Sequence, residues 1–408
     1  MVMLSHRSRN SKQSGAVSLF IVVFAMLLIT VVTLSFLRIM LKDQSQASVN
    51  DLSKSALDSA QAGVEDAKRA LIYYRTVCAT GDTTGCDAAR NTINSNTCNQ
   101  GLSVVNVDLS NSNEVPVQQS QSANDEQLNQ AYTCVKMNLD TPDYLGTLEA
   151  NSSKIIPLFS TAPYSSIILQ WFTTDDFGTV GTDVSLQPNT VQKDGGGTNQ
   201  EIWPLNAQAN WPQTRPSVMR AQLMQYGSSF KLTDFDSSTS GVSNSNTMFL
   251  YPTGTTGSAS PVVQDSWGFT DRDIRKVATG QLQQTRCLGK LSGGGYACTV
   301  RLNLPVPVGN DPSDLNRTAF IRLSALYKST HFRITMVGAD VKFKGVQPSI
   351  DATGRANDQY RRVESRVDLI DTNFPFPEAA LDVSGNLCKN FIVTDTGNTI
   401  PADQATCN

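Results

Sequence analysis

The sequence predicts an α+β fold: a long N-terminal transmembrane and stalk α-helix, followed by a disulfide-bonded, mainly antiparallel β domain outside the membrane. No charged residue occurs from Ala16 to Leu37. Eight cysteines lie in the remaining part of the 408-residue chain. From about Ile155 onward, short β-branched and aromatic runs alternate with turn-forming residues. Together these features predict one membrane helix and an extracytoplasmic β domain.

The composition limits the classes of partner. Asp, Glu, Lys and Arg make up 17% of the chain, and the formal charge is −3 at pH 7. Acidic and basic residues are well mixed and form no basic stripe, so the electrostatic attraction that drives nucleic-acid binding is missing. We therefore do not expect nucleic acid as a partner.

The uncharged run is long enough to be a membrane span. At a rise of about 1.5 Å per residue it covers roughly 30 Å, the thickness of a bilayer's hydrocarbon core. Basic residues ahead of the run predict a cytoplasmic N-terminus, with most of the chain outside a plasma (inner) membrane. They are Arg7, Arg9 and Lys12. A cleaved secretory signal fits less well, because its apolar region is shorter and ends at a small-residue site, whereas Arg38 and Lys42 follow here.

The helical pattern continues beyond the span. No proline precedes Pro116, and small or apolar residues recur at spacings of three and four, which puts them on one face of a helix. They are Leu52, Ala56, Ala60, Gly63, Ala67 and Leu71. One helix from Ala16 to about Tyr74 would be roughly 90 Å long. Its small-residue face either packs on the protein's own domain or bundles with copies or relatives in a filament, and both arrangements are compatible at different points along it.

The N-terminus resembles that of type IV prepilins and the related pseudopilins, with a class III leader. The basic leader ends in Gly15, and Ala16 then opens the apolar helix. In that family a dedicated peptidase cuts after the glycine and methylates the new N-terminus, so the resemblance implies cleavage between these two residues. It also implies three partners: the prepilin peptidase, the inner-membrane pilus assembly machinery, and other pilins that contact the N-terminal helix within a cell-surface filament.

Two features depart from the major pilins. Phe20 stands where most of them carry a glutamate, five residues into the mature chain. Large minor pilins of the PilX-like group, and the pseudopilins that cap secretion pseudopili, often lack that glutamate. The resemblance therefore implies a scarce subunit at or near a tip. The span also lacks the helix-breaking proline of many pilins, which leaves open whether this helix partly melts on assembly.

The cysteines predict disulfides and an oxidising compartment. They are Cys78, Cys86, Cys98, Cys134, Cys287, Cys298, Cys388 and Cys407. None belongs to a CxxC pair and the chain has only two histidines, so a zinc cluster is not expected. The first four predict two disulfides, for which three pairings are possible. Cys287 and Cys298 flank a turn and predict a disulfide across a hairpin.

Changes in composition predict five regions. They are the leader 1–15, the transmembrane and amphipathic helix 16–75, a cysteine-containing, loop-rich subdomain 76–150, a β-rich globular domain 151–371 and a C-terminal loop 372–408. Two strands joined around Gly354 to Asp358 resemble the closing hairpin of large minor pilins. Cys388 and Cys407 enclose a loop that resembles the disulfide-bounded loop that many pilins use for subunit contacts or adhesion.

The residues that carry catalytic or metal chemistry are sparse, and we predict no catalytic site, metal or cofactor. His331 is the only histidine beyond the leader, and its place beside a predicted strand is typical of a strand end. Gly293 to Gly295 lack the remainder of a phosphate-binding loop. Asp194 to Gly197 and Asp234 to Gly241 lack the spacing of a calcium loop. Four tryptophans are expected to pack in the core: Trp171, Trp203, Trp211 and Trp267.

Three functional hypotheses remain. The leading one is a non-enzymatic minor pilin or pseudopilin that joins a type IV pilus-like filament, at or near its tip, for assembly, adhesion or surface interaction. The alternative is a single-pass, membrane-tethered extracellular binding domain, similar to an adhesin, that never polymerises. An extracellular enzyme is the third. Removal of residues 1–15 would separate the first hypothesis from the other two.

Overall fold

The computed structural model describes most of the chain from residue 14 to residue 369. The described ranges are 14–107, 114–117, 129–177, 183–186, 192–193, 201–202, 205, 208–226, 245–254, 265–274, 282–291, 295–309 and 318–369. Within these ranges the chain forms two α-helices, α1, Ser14–Ala79, and α2, Thr83–Ile93. The strands are β1 Val115–Pro116, β2 Gln130–Thr141, β3 Asp143–Leu148, β4 Ser153–Pro157, β5 Tyr164–Trp171, β6 Gln192–Lys193, β7 Glu201–Ile202, β8 Val218–Tyr226, β9 Ser245–Gly254, β10 Asp265–Gly268, β11 Gln283–Cys287, β12 Cys298–Val308, β13 Thr318–Leu326, β14 Thr330–Met336, β15 Phe343–Ala356 and β16 Gln359–Arg366.

Helix α1 is continuous over 66 residues, which confirms the predicted long helix. It runs through Ala79, beyond the predicted end near Tyr74. Gly81, with φ +80°, follows its last turn, and glycine is the residue that best adopts the left-handed conformation found after helix ends. The absence of proline lets every turn between the apolar and the polar half keep its backbone hydrogen bonds.

A four-stranded antiparallel sheet lies against the C-terminal half of α1. Its strand order is β1-β2-β15-β16, so it combines two strands before residue 142 with a hairpin after residue 342. Between this sheet and α1 lies a core that contains Val64, Leu71, Tyr132 and Ile350. The opposite face of the sheet is polar, as expected for an antiparallel sheet with one face in water.

Between β2 and β15, strands β3 to β5 and β8 to β14 form a second, ten-stranded sheet, while β6 and β7 pair only with each other. Its order is β3-β14-β5-β12-β11-β9-β8-β13-β4, with β10 paired to β12. The two edge strands of that path, β3 and β4, are joined by only four residues, 149–152, so the sheet must curl to bring its edges together. The large core of the protein fills this curl and includes Trp171, Leu250, Ile321 and Phe332, each with no exposed surface.

The β-rich prediction after Ile155 is confirmed, and most predicted runs correspond to strands β5, β8, β9 and β12 to β16. The predicted closing hairpin is confirmed too, with its turn at Asn357 and Asp358 between β15 and β16. The region 76–150 differs from the loop-rich prediction, because it contains α2 and strands β2 and β3. Asp82 caps the N-terminus of α2 by accepting a hydrogen bond from the Gly85 backbone N–H. The polar composition of this region does not reveal such a cap.

The disulfides resolve the three pairings left open by the sequence. Cys78 bonds Cys86, which ties the end of α1 to α2. Cys98 bonds Cys134, which ties the segment after α2 to β2. The third disulfide joins Cys287 and Cys298, which lie opposite each other on antiparallel β11 and β12, so the predicted hairpin disulfide is confirmed. Cys388 and Cys407 lie outside the described residues.

Candidate functional site

The N-terminal half of α1 presents an apolar surface that nothing in the described chain covers. Large apolar side chains from Leu19 to Leu41 are exposed, with Phe20 at 75% and Leu41 at 65%. This stretch is ~34 Å long. Among the described residues, α1 is the one helix long and apolar enough to span a membrane. A surface of this size needs lipid or other apolar helices around it.

The hydroxyl groups within the apolar half are satisfied by the helix itself. Thr30 donates to the Met26 carbonyl at 2.7 Å and Ser35 to the Val31 carbonyl at 2.9 Å, while Thr33 donates to Ile29. Each bond spans four residues, so these hydroxyls offer no free polar group to an apolar environment. Despite its threonines and serine, this surface is therefore effectively apolar.

The residues of the predicted processing site lie at the start of this helix. Gly15 and Ala16 belong to the first turn of α1. Phe20, one turn further on, is among the most exposed apolar side chains of the helix. At this position the sequence supplies an apolar ring instead of a carboxylate, so the exposed surface carries no acidic group there.

The C-terminal half of α1 is held against the four-stranded sheet at very short range, in what we call the helix seat. Most of its buried side chains are small: Ala56, Ser59, Ala60, Ala67 and Ala70 have no exposed surface, and Leu71 is the large exception. The sheet contributes Gly354 at the point of closest approach. A Cβ there would lie 2.2 Å from the Ala56 carbonyl oxygen and 2.2 Å from the Ala60 amide nitrogen. Only glycine fits, because the strand meets the helix backbone itself.

Polar contacts fix the helix seat along its length. The Tyr132 hydroxyl on β2 donates to the Asp66 carboxylate on α1 at 2.6 Å. Burial, followed by this hydrogen bond, raises the pKa of Tyr132. Nearer the apolar half, Arg361 of β16 donates to the Ser53 hydroxyl at 2.7 Å. The small-residue face predicted from the sequence therefore packs on the protein's own sheet.

The end of α1 is locked to the sheet through α2. Arg90 of α2 donates to the Asp140 carboxylate on β2 and, at 3.3 Å, to the Tyr74 hydroxyl on α1. Burial opposes the charge on Arg90, but these hydrogen bonds outweigh it and raise its pKa. Buried Asn99 accepts from the Val135 backbone N–H at 2.8 Å, beside the second disulfide. Hydrogen bonds therefore hold α1 at both ends of the helix seat, through Arg361 near its start and through Arg90 near its end.

His331 lies one residue inside β14, in agreement with the predicted strand-end position. Its Nδ1 is 2.7 Å from a carboxylate oxygen of Asp176. The same carboxylate accepts from the backbone N–H groups of Thr173 and His331 and from the Thr330 hydroxyl. These bonds cap the short 3₁₀ helix Thr174–Asp176 and fasten it to β14, which gives the histidine a structural role.

The tryptophans pack in the interior where the structure describes them. Trp171 is fully buried, and its Nε1 donates to the Ser217 carbonyl at 3.0 Å. Trp211 stacks on Tyr327 with ring centroids 4.2 Å apart, and the Arg215 guanidinium covers it at 5.1 Å. Trp267 is partly buried against the large core. Trp203 lies outside the described residues, as do Gly293, Gly294, Asp194 to Gly197 and Asp234 to Gly241.

Comparison with known proteins returns no relative. No protein-family model, no curated protein and no solved structure matches the chain. Any function must therefore be argued from the helix and its seat.

Sequence reasoning missed one half of this site. It found the apolar span and the small-residue face, but it gave Tyr132 no role and placed Gly354 in the connection of the closing hairpin, whereas Gly354 lies inside β15. The available signal for the glycine was its position inside a β-branched and polar strand pattern, since an isolated glycine in a strand indicates close approach of another backbone.

Proposed function

We propose that this protein is a non-enzymatic minor pilin or pseudopilin, which joins a type IV pilus-like filament at or near its tip. In this proposal Gly15 ends a leader that the prepilin peptidase removes. The apolar half of α1 first anchors the chain in the plasma membrane, with the sheets outside the cytoplasm. During assembly it exchanges lipid for the helices of other pilins.

The observation that carries the proposal is the unbroken helix from the apolar half into the helix seat. A domain that is only tethered needs no rigid connection to its anchor, and a flexible linker would serve. Here the polar stretch between Lys42 and Asn50 stays helical, and each of its residues is exposed. This holds the sheets ~14 Å beyond the apolar half. A fixed spacing is what a subunit needs when its helix packs in a filament and its domain faces solvent.

The position of Phe20 supports a scarce subunit. An exposed apolar ring replaces the carboxylate that most major pilins carry there, so the chain lacks the charge through which a repeated subunit would be paired along a shaft. The large ten-stranded sheet adds bulk outside the helix seat, which suits a terminal position better than a closely packed one.

Shear fractionation of the native cells tests the proposal. We expect the protein in the sheared filament fraction at a small share of the major subunit. Gly15→Val should block leader removal and leave the protein in membranes, while Ser14→Ala, one residue away, should behave like the natural chain. If all of the protein stays in membranes and none enters filaments, whether or not its leader is removed, the proposal is contradicted.

The same structure also suits a tethered binding domain that never polymerises, because an exposed apolar helix anchors either kind of protein. This second candidate predicts that Gly15→Val changes neither the N-terminus nor the location of the protein. The fractionation experiment therefore separates the two.

A further inference from the structure

Strand β15 belongs to both cores of the protein. At its beginning, Phe343 and Val346 are buried in the core of the ten-stranded sheet. Further along, Ile350 and Ala352 are buried beneath α1 in the other core. The pairing with β2 shifts register between these two parts, and Gly345 has φ +64° at that point. A single strand thus passes from one hydrophobic core into the other through a local irregularity.

A buried glutamine closes the gap that this irregularity leaves. Gln347 is only 4% exposed. Its side-chain carbonyl accepts from the Leu145 backbone N–H at 2.9 Å, and its amide donates to the Leu145 carbonyl at 2.8 Å. The carboxamide therefore pairs with β3 as a backbone peptide group would, across the boundary between the two sheets. Its amide also donates to the Asp368 carboxylate at 2.9 Å.

Backbone and charged contacts reinforce the same boundary. The Lys344 N–H donates to the Phe159 carbonyl and the Thr161 N–H to the Lys342 carbonyl, both at 3.0 Å. Asp368, which holds Gln347, also pairs with Lys154 of β4 at 2.7 Å. The chain passes between the two sheets twice. Where it first crosses, a single residue separates β2 from β3. The return connection, residues 337–342 between β14 and β15, is fastened at its end by the Thr161 and Lys344 hydrogen bonds.

We infer that this junction, centred on Gln347, joins the ten-stranded sheet and the helix-bearing four-stranded sheet into one mechanical unit without a hinge. A pull applied to the ten-stranded sheet is then passed through β15 to α1, and not absorbed by rotation between the sheets. The inference rests on contacts within the chain and applies to a filament subunit and a tethered domain alike. Its failure would leave the proposed function standing.

Coupled unfolding of the full chain in detergent micelles tests the inference. Hydrogen exchange at increasing urea concentration follows two sets of amides, those of α1 from Ala56 to Leu71 and those of β8 and β13. In the natural protein we expect both sets to lose protection at one urea midpoint. Separate midpoints in the natural protein would overturn the inference, whatever any variant does.

Substitution of the glutamine gives the second arm. Gln347→Ala leaves the partly buried Leu145 N–H and carbonyl without the partners they have in the natural protein. We therefore expect at least about tenfold faster exchange there and two separated midpoints. Gln222→Ala is the matched control, since that glutamine lies within β8 and its side chain makes no contact across the junction. Equal behaviour of the two variants would refute the role of Gln347. If Gln347→Ala does not fold, the single midpoint of the natural protein still decides the question.

Discussion

Substitution of Gly354 is the most direct way to disturb the helix seat. An alanine Cβ at this position would lie 2.2 Å from two backbone atoms of α1 and 2.8 Å from a third, the Ser59 carbonyl carbon. Ordinary contact begins near 3.4 Å, so the helix and the strand must separate by about 1.2 Å. Overpacking typically costs about 1–3 kcal/mol. Because the obstructing atoms are backbone and cannot rotate away, we expect Gly354→Ala to cost about 3 kcal/mol.

Urea unfolding of the full chain in detergent micelles measures this cost, with hydrogen exchange of the α1 amides as a local probe. Gly289→Ala is the matched control, because an added Cβ there meets nothing within 4 Å. Gly63→Ala should be intermediate. Its Cβ would meet Val135 at 2.8 Å and Tyr132 at 3.1 Å, but these are side-chain and not backbone atoms, and alanine gains about 1 kcal/mol of helix propensity over glycine. If Gly354→Ala is as stable as Gly289→Ala, the close approach of helix and strand is wrong.

Three further predictions concern the elements around the seat. Because the pKa of Tyr132 is raised above its ordinary value near 10, the Tyr132 hydroxyl stabilises the fold fully below about pH 10, and this contribution is lost as pH rises further. Tyr132→Phe should therefore lower the free energy of unfolding by about 1.5–3 kcal/mol at pH 8. Urea unfolding should also show that the variant loses less stability between about pH 8 and 11 than the natural protein does. A disulfide that closes a longer loop stabilises more, so removing Cys98–Cys134 should cost about 3.8 kcal/mol and removing Cys78–Cys86 about 2.5 kcal/mol. Thermal unfolding of the two double-alanine variants measures both costs, and the reverse order would contradict the loop argument. Asp176→Ala removes an acceptor of one buried and two partly buried donors and should cost about 3 kcal/mol. A free energy of unfolding in urea within about 0.5 kcal/mol of the natural chain, roughly the effect of an ordinary surface substitution, would show that this cap is unimportant.

The long helix was predictable because its signals are local. An uncharged run, the absence of proline and a small-residue face each depend on residues a few positions apart, and together they predicted both halves of α1. The hairpin disulfide was predictable for the same reason, since Cys287 and Cys298 lie on either side of one turn. Spacing alone could not choose among the pairings of the first four cysteines, because each depends on where α2 and β2 are placed.

The division of the strands between the four-stranded and the ten-stranded sheet could not be predicted from the sequence. Strand β2 pairs with β15, and Thr141 lies opposite Phe343 although about two hundred residues separate them in the chain. Hydrophobic alternation predicts a strand but not its partner, because the same pattern fits any sheet with one buried face. The role of Gln347 was hidden for a related reason: a polar residue in a strand indicates solvent until its partner, here Leu145, is known.

The central claim is that α1 belongs to a processed filament subunit, and intact-mass and N-terminal peptide analysis of the protein from membranes of its native cell tests it most directly. We predict a mature chain that begins at Ala16 with a methylated amine. A chain that still begins at Met1 or Val2 would contradict the claim and leave the tethered binding domain as the better account.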